Sequence, residues 1–161
     1  NFYHWSLVSS NQTYIGVFMK ASIIKAAALG SVLAMTATAS YAAGDQDKYQ
    51  LSSHILDIST GKPAPDVNVR LMMQEKSGSW KLVNTQKTDA NGRIGTFLPN
   101  EAGVAHDGTY KLIFETTPYF QNQGLKSFYP YVEVNFNIEG EKHYHVPITL
   151  SAYGYSTYRG S

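Results

Sequence analysis

Tyr158-Arg159-Gly160-Ser161 sets a phenol, a guanidinium, a residue with no side chain and a hydroxyl next to one another, directly after an aromatic run of Tyr153, Tyr155 and Tyr158. A chain end normally frays and makes no demand on residue type. This mixture instead suits contact with a flat, polar, hydrogen-bonding ligand. Three further groups supply the reactivity such a ligand would need. His143 and His145 stand at i and i+2, His54 lies within Leu51-Ser52-Ser53-His54-Ile55-Leu56-Asp57, and Arg93 follows Asn91-Gly92. An imidazole titrates near neutrality and can take or give a proton. A guanidinium offers a fixed fork of donors to carbonyls and to developing negative charge. Each residue also has an ordinary reading: a polar outer strand face for the histidine pair, a structural strand histidine for His54, a solvated charge at a hairpin exit for Arg93. Two histidines at i and i+2 are also half of a metal site, and His54, His143 and His145 together could hold Zn²⁺ with a position left for water.

The elements that carry these groups read as strands. Val67, Val69, Leu71 and Met73 alternate with polar or longer residues, as do Tyr110, Leu112 and Phe114, then Val132, Val134, Phe136 and Ile138, then Tyr144, Val146, Ile148 and Leu150. Period two marks half-buried antiparallel strands. In the last of these strands the apolar set claims the core, so His143 and His145 must face outward. Pro147 lacks an N–H, which favours an edge strand or a locally disrupted ladder. His54 shares a face with Ser52 and Leu56. Turn signals separate the strands: Gly61-Lys62-Pro63, Ser77-Gly78-Ser79, Asn91-Gly92, Asp107-Gly108 and Glu139-Gly140. Residues 117–124 read as a short helix, with Pro118 in the first turn and Gly124 as the stop. Seven to eight short strands with one short helix imply a single all-β domain, an antiparallel β-sandwich over residues 43–161. His106, in the polar loop from Pro99 to Gly108, reads as a solvated loop histidine.

Upstream of that domain, Lys20 and Lys25 precede an uncharged run from Ala26 to Ala39 and a small-x-small exit at Ser40-Tyr41-Ala42. That pattern predicts a secretory signal peptide over residues 19–42, cleaved after Ala42. The run is too short and alanine-rich for a good membrane span. Residues 1–18, ahead of Met19, are expected to be a non-native N-terminal extension. Among 161 residues there is no cysteine, and an exported domain without disulfides fits a bacterial periplasm. A net charge of +1, with no basic run and no basic helix, gives no case for a nucleic-acid or membrane partner.

Taken together, Leu51–Asp57, Thr60-Gly61-Lys62-Pro63-Ala64, Thr88-Asp89-Ala90-Asn91-Gly92-Arg93-Ile94 and the run from His143 to Ser161 resemble the transthyretin-like family of 5-hydroxyisourate hydrolases. The resemblance covers the whole domain, with Ala152 a minor departure. Its terminal tetrapeptide separates the hydrolases from the hormone-carrying transthyretins of the same fold. The resemblance implies a transthyretin-like sandwich and a homotetramer, a dimer of dimers, with sites in a central channel. It implies His54, Arg93 and His145 as the catalytic set and Tyr158, Arg159, Gly160 and Ser161 as substrate-binding residues, with no metal and no cofactor. The implied reaction converts 5-hydroxyisourate to 2-oxo-4-hydroxy-4-carboxy-5-ureidoimidazoline in urate catabolism.

That hydrolysis needs an activated water, a stabilised oxyanion and a protonated leaving nitrogen. Nothing near Ser161 forms a nucleophilic triad, so direct water attack is favoured over an acyl-enzyme. His54 is the preferred general base, with His145 orienting the water or passing the proton on, and Arg93 facing the carbonyls. The rival readings are a transthyretin-fold carrier of a small aromatic ligand, the three-histidine zinc site, and an exported sandwich with a structural role.

Overall fold

The structure is a computed structural model that describes residues 47–161. The expected extension (1–18) and signal peptide (19–42) lie outside the described residues. Among the described residues nine strands and one helix follow in the order β1 (Tyr49–Asp57), β2 (Lys62–Pro63), β3 (Asn68–Gln74), β4 (Trp80–Lys87), β5 (Arg93–Pro99), β6 (Gly108–Phe114), α1 (Thr116–Gln121), β7 (Val132–Ile138), β8 (Tyr144–Ser151) and β9 (Gly154–Thr157). The strand count exceeds the expected seven to eight through β2, a two-residue strand, and β9, which forms from the aromatic run. The helix ends earlier than expected, its last turn handing over to Gly124 at φ +70°.

β1 is the spine of a five-stranded sheet. It pairs antiparallel with β2 and β5 on one side and parallel with β8 on the other, and β9 closes the far edge of β8. The second sheet has four strands in the order β4-β3-β6-β7, all antiparallel. The alternation explains which faces meet. Leu51, Ile55, Ile148 and Leu150 from the first sheet join Leu71, Leu112, Phe114 and Ile138 from the second in one buried cluster. Each such side chain contributes about 1.5–3 kcal/mol by leaving water. Polar residues that share the interior include Ser53, which donates to the Val146 carbonyl at 2.8 Å, and Asp57, which accepts from Tyr119 at 2.8 Å; the buried Thr116 hydroxyl has no hydrogen-bond partner among the described residues.

Pro147 is a correction to the edge-strand option. It sits inside β8 between two paired neighbours. The β8–β9 register, carried through the isolated bridge between His145 and Gly160, sets Pro147 opposite Tyr158. Gly160 donates to the His145 carbonyl, so the alternation of an antiparallel ladder places the next hydrogen-bonded pair at Pro147. Proline has no N–H to give there. The ladder breaks, Thr157 Oγ1 donates to the Pro147 carbonyl at 2.9 Å, and backbone pairing with β8 resumes at Gly160.

Candidate active site

The outward row of β1 carries Ser52, His54 and Leu56, because Leu51, Ser53, Ile55 and Asp57 are buried on the other face. His54 is flanked by Arg93 on β5 and by Pro147 on β8, while Ser52 is flanked by His145. Side chains on directly opposed strand residues share a face at about 4.5–5.5 Å between Cβ atoms. Strand pairing therefore brings Arg93, His54, Ser52 and His145 onto one patch, from chain segments far apart in sequence.

Arg93 is delivered by a built turn. The Asp89 carboxylate accepts from the backbone N–H of Asn91 at 2.8 Å and of Arg93 at 2.9 Å, and the Gly92 N–H donates to the Asp89 carbonyl. Gly92 has φ +70°, which favours glycine. A Cβ there would also stand 2.7 Å from the Ile55 carbonyl oxygen and 2.9 Å from Pro63 Cβ. That closeness lets Ile55 N–H donate to the Gly92 carbonyl, which locks the turn against β1 beside His54.

His145 is held on two sides. Ser52 Oγ lies 2.7 Å from His145 Nδ1 and 2.8 Å from His143 Nε2, and His143 Nδ1 lies 2.8 Å from the Tyr49 carbonyl oxygen. On the other side Gly160 crosses the imidazole so closely that a Cβ at 160 would overlap Cδ2, with Cγ at 3.1 Å and Cβ at 3.2 Å. The glycine of the terminal tetrapeptide is thus a space requirement imposed by the histidine. The loop bearing His143 is tied down by buried Gln50, which donates to the carbonyls of Gly140 and Lys142.

The electrostatics of the patch hold both imidazoles neutral. His145 is lowered from 6.5 to about 4, first by burial, then by the Arg93 guanidinium and by the neighbouring imidazoles of His54 and His143. His54 is lowered by burial and by Arg93, against opposing pulls from the Asn91 backbone and the Asp89 carboxylate. Two neutral imidazoles and a guanidinium form a site that can accept a proton, hold a water and face an anion at neutral pH.

The tail divides. Gly160 lies over His145, but Arg159 places its guanidinium 4.8 Å from the centre of the Tyr144 ring, whose residue alternates with His145 along β8. Tyr144 in turn donates to the Glu139 carbonyl and accepts from its N–H, both at 3.0 Å. Arg159 and Tyr158 border a cleft of about 420 Å³ shared with Val134, Phe136 and Tyr144. Ser161 is exposed in the single chain. The structure also adds residues that pattern alone did not assign to the site. Ser52 carried a signal only as a face-mate of His54, and His143 only as half of a metal pair. With His143 engaged at both ring nitrogens, the three-histidine zinc arrangement is not formed: among the described residues no group of three or more His, Cys, Asp or Glu is placed to hold a metal ion. His106 is also not the freely solvated histidine expected, since its Nδ1 lies 2.9 Å from Gln50 Oε1 and its carbonyl accepts from Tyr110.

Residues 51–160 match the family described as "HIUase/Transthyretin family". The chain is 48% identical over 139 residues to a 5-hydroxyisourate hydrolase of Salmonella typhi, covering 86% of this chain and 97% of that protein. It is 41% identical over 114 residues to the 5-hydroxyisourate hydrolase of Mus musculus, covering 69% and 94%. Among solved structures it resembles Klebsiella pneumoniae 5-hydroxyisourate hydrolase at a TM-score of 0.59 and 38% identity, covering 70% of this chain and 94% of that one. It resembles sea bream transthyretin, solved in complex with thyroxine, at a TM-score of 0.63 and 33% identity, covering 69% and 94%. The backbone is thus about equally close to a 5-hydroxyisourate hydrolase and to a transthyretin.

Proposed function

The chain belongs to the HIUase/Transthyretin family, and we propose on that premise that it hydrolyses 5-hydroxyisourate, opening the six-membered ring to 2-oxo-4-hydroxy-4-carboxy-5-ureidoimidazoline. The observation that carries this reading is the meeting of His54, Arg93 and His145 on one sheet face, with Gly160 laid across His145. A hormone channel calls for apolar walls. This face instead offers two imidazoles held neutral beside a fixed cation.

In the proposed reaction a water attacks the ring carbonyl carbon while an imidazole of the His54–His145 pair takes its proton. Arg93 stabilises the oxyanion, the carbon–nitrogen bond breaks, and the proton returns to the leaving nitrogen. Acid–base assistance of this kind is worth about 10²- to 10⁴-fold in rate. The tail residues Tyr158 to Ser161 contact the ring and its polar edge. No metal or cofactor takes part in this scheme.

The active form is proposed as a homotetramer, a dimer of dimers, whose subunits cover the outward face of the first sheet. Free edges at β7 and β9 and exposed Tyr153 and Tyr155 support it. Export to a periplasm is proposed from the leader pattern. The Salmonella typhi match supports a shared upstream segment, since it takes in 86% of this chain and so extends ahead of Asp47.

The test is the ultraviolet decay of freshly made 5-hydroxyisourate against its spontaneous rate. Acceleration proportional to protein, cut at least about 10²-fold in His54→Ala and in His145→Ala, is the expected result. Decay at the spontaneous rate, with thyroxine-like aromatics bound instead, would establish the carrier reading.

A further inference from the structure

We infer that Ser52 and His143 form a proton relay behind His145, in which the Tyr49 carbonyl fixes the tautomers and His145 Nε2 is the base that meets the water. The inference rests on the hydrolase reading and assigns two positioning residues to it. A carbonyl oxygen only accepts, so the 2.8 Å contact to Tyr49 O puts a proton on His143 Nδ1. Neutral His143 then presents a lone pair at Nε2, which takes the Ser52 O–H at 2.8 Å. With its one proton engaged, Ser52 Oγ accepts at 2.7 Å from His145 Nδ1–H. The remaining nitrogen of neutral His145, Nε2, carries the lone pair. One backbone carbonyl thus determines, through three hydrogen bonds in series, which nitrogen of His145 is basic.

The same chain answers an electrostatic difficulty. A proton taken by His145 creates an imidazolium beside the Arg93 guanidinium, on a ring whose charge is already disfavoured by burial, by Arg93 and by the neighbouring imidazoles of His54 and His143. In the relay, Nε2 takes a proton from water, Nδ1–H passes to Ser52 Oγ, and the Ser52 hydroxyl proton passes to His143 Nε2. No net bond is lost, and the positive charge moves to His143. That residue precedes His145 by two positions, in the loop ahead of β8, on the side away from the His54–Arg93 level of the sheet. His145 is left neutral with Nε2–H, the form that donates to the leaving nitrogen. His54, on the adjoining row, then orients the water. This reverses the preference for His54 as the general base.

The measurement that decides is the tautomer of His145, read from imidazole ¹⁵N shifts in ¹⁵N-histidine-labelled full-length protein at neutral pH. The native protein is expected to show Nδ1–H and a bare Nε2, and Ser52→Ala to lose that preference. A native His145 carrying Nε2–H, or a tautomer unchanged in Ser52→Ala, would overturn the inference whatever the activity. In kinetics, Ser52→Ala and His143→Phe should each lower kcat by about 10- to 100-fold, short of deleting the base itself, with KM changed by less than about threefold. Ser52→Thr, which keeps the hydroxyl, should recover most of the loss. Wild-type kcat in Ser52→Ala would also refute the relay. A protein that leaves 5-hydroxyisourate at its spontaneous rate would refute the hydrolase reading instead, with the tautomer result standing by itself.

Discussion

Gly160 offers a ligand nothing but backbone, and its value lies in what a larger residue would displace. Any Cβ at this position enters the space of the His145 imidazole. Gly160→Ala must therefore lift the tail off β8 or turn the ring away from Ser52. A displacement of about 1 Å at reacting groups costs on the order of 10²-fold in rate. We expect Gly160→Ala to lose about that much kcat/KM while the urea midpoint stays within the range of ordinary surface substitutions, about ±0.5 kcal/mol. A fully active variant would show that the tail does not register on the histidine. Arg159 belongs to a different contact, since its guanidinium rests on Tyr144. The tetrapeptide was legible as a unit, but not as one residue packed on the His145 ring and another braced on the reverse side of the strand.

At the scale of elements, the site is a product of strand pairing, and its weakest joint is the turn before β5. Gly92 is at φ +70° with the Ile55 carbonyl 2.7 Å from where a Cβ would stand. Strain of this sort costs about 1–3 kcal/mol. Gly92→Ala is expected to lower the unfolding free energy by that amount in urea titration, and to lower turnover too, because Arg93 moves with the turn. The tail makes the opposite prediction. β9 ends at Thr157, so removing residues 158–161 spares every strand. That truncation should keep the native circular dichroism spectrum and lose activity. Retained turnover would remove the tail from the mechanism. Period two in Val67–Met73, Val132–Ile138 and Tyr144–Leu150 made these strands readable, as did the turn residues between them. Pairing partners were not readable. Nothing in the spacing of Ser52 says that a parallel neighbour will set His145 beside it, or that His143 will reach Tyr49. Those contacts come from register across segments about ninety residues apart. Pro147 was readable only as a defect, and the structure shows the defect frees the chain to rejoin at Gly160.

For the whole molecule, the histidines couple acidity to stability and to assembly. The unfolded chain carries His145 at its ordinary 6.5, whereas the folded chain holds it at about 4. Between those values the unfolded state binds more protons, so stability rises with pH across the window and is lost as the solution is acidified towards about 4. His54, shifted in the same direction, adds to the slope. The proposed tetramer covers this same face, and covering it removes more water from rings whose charged forms are already disfavoured by burial and by Arg93. Protonation then favours whichever state exposes the face. Sedimentation velocity should accordingly find the tetramer at pH 8 and smaller species as the pH is lowered towards about 4, where an uncovered His145 takes its proton. His145→Asn, with no imidazole to charge, should shift that dissociation to lower pH. A tetramer as stable at about pH 4 as at pH 8 would mean that the histidine face is not what the subunits bury. The exposed Tyr153 and Phe128, at 74% and 73% of their surface, would then be the place to look for the contact.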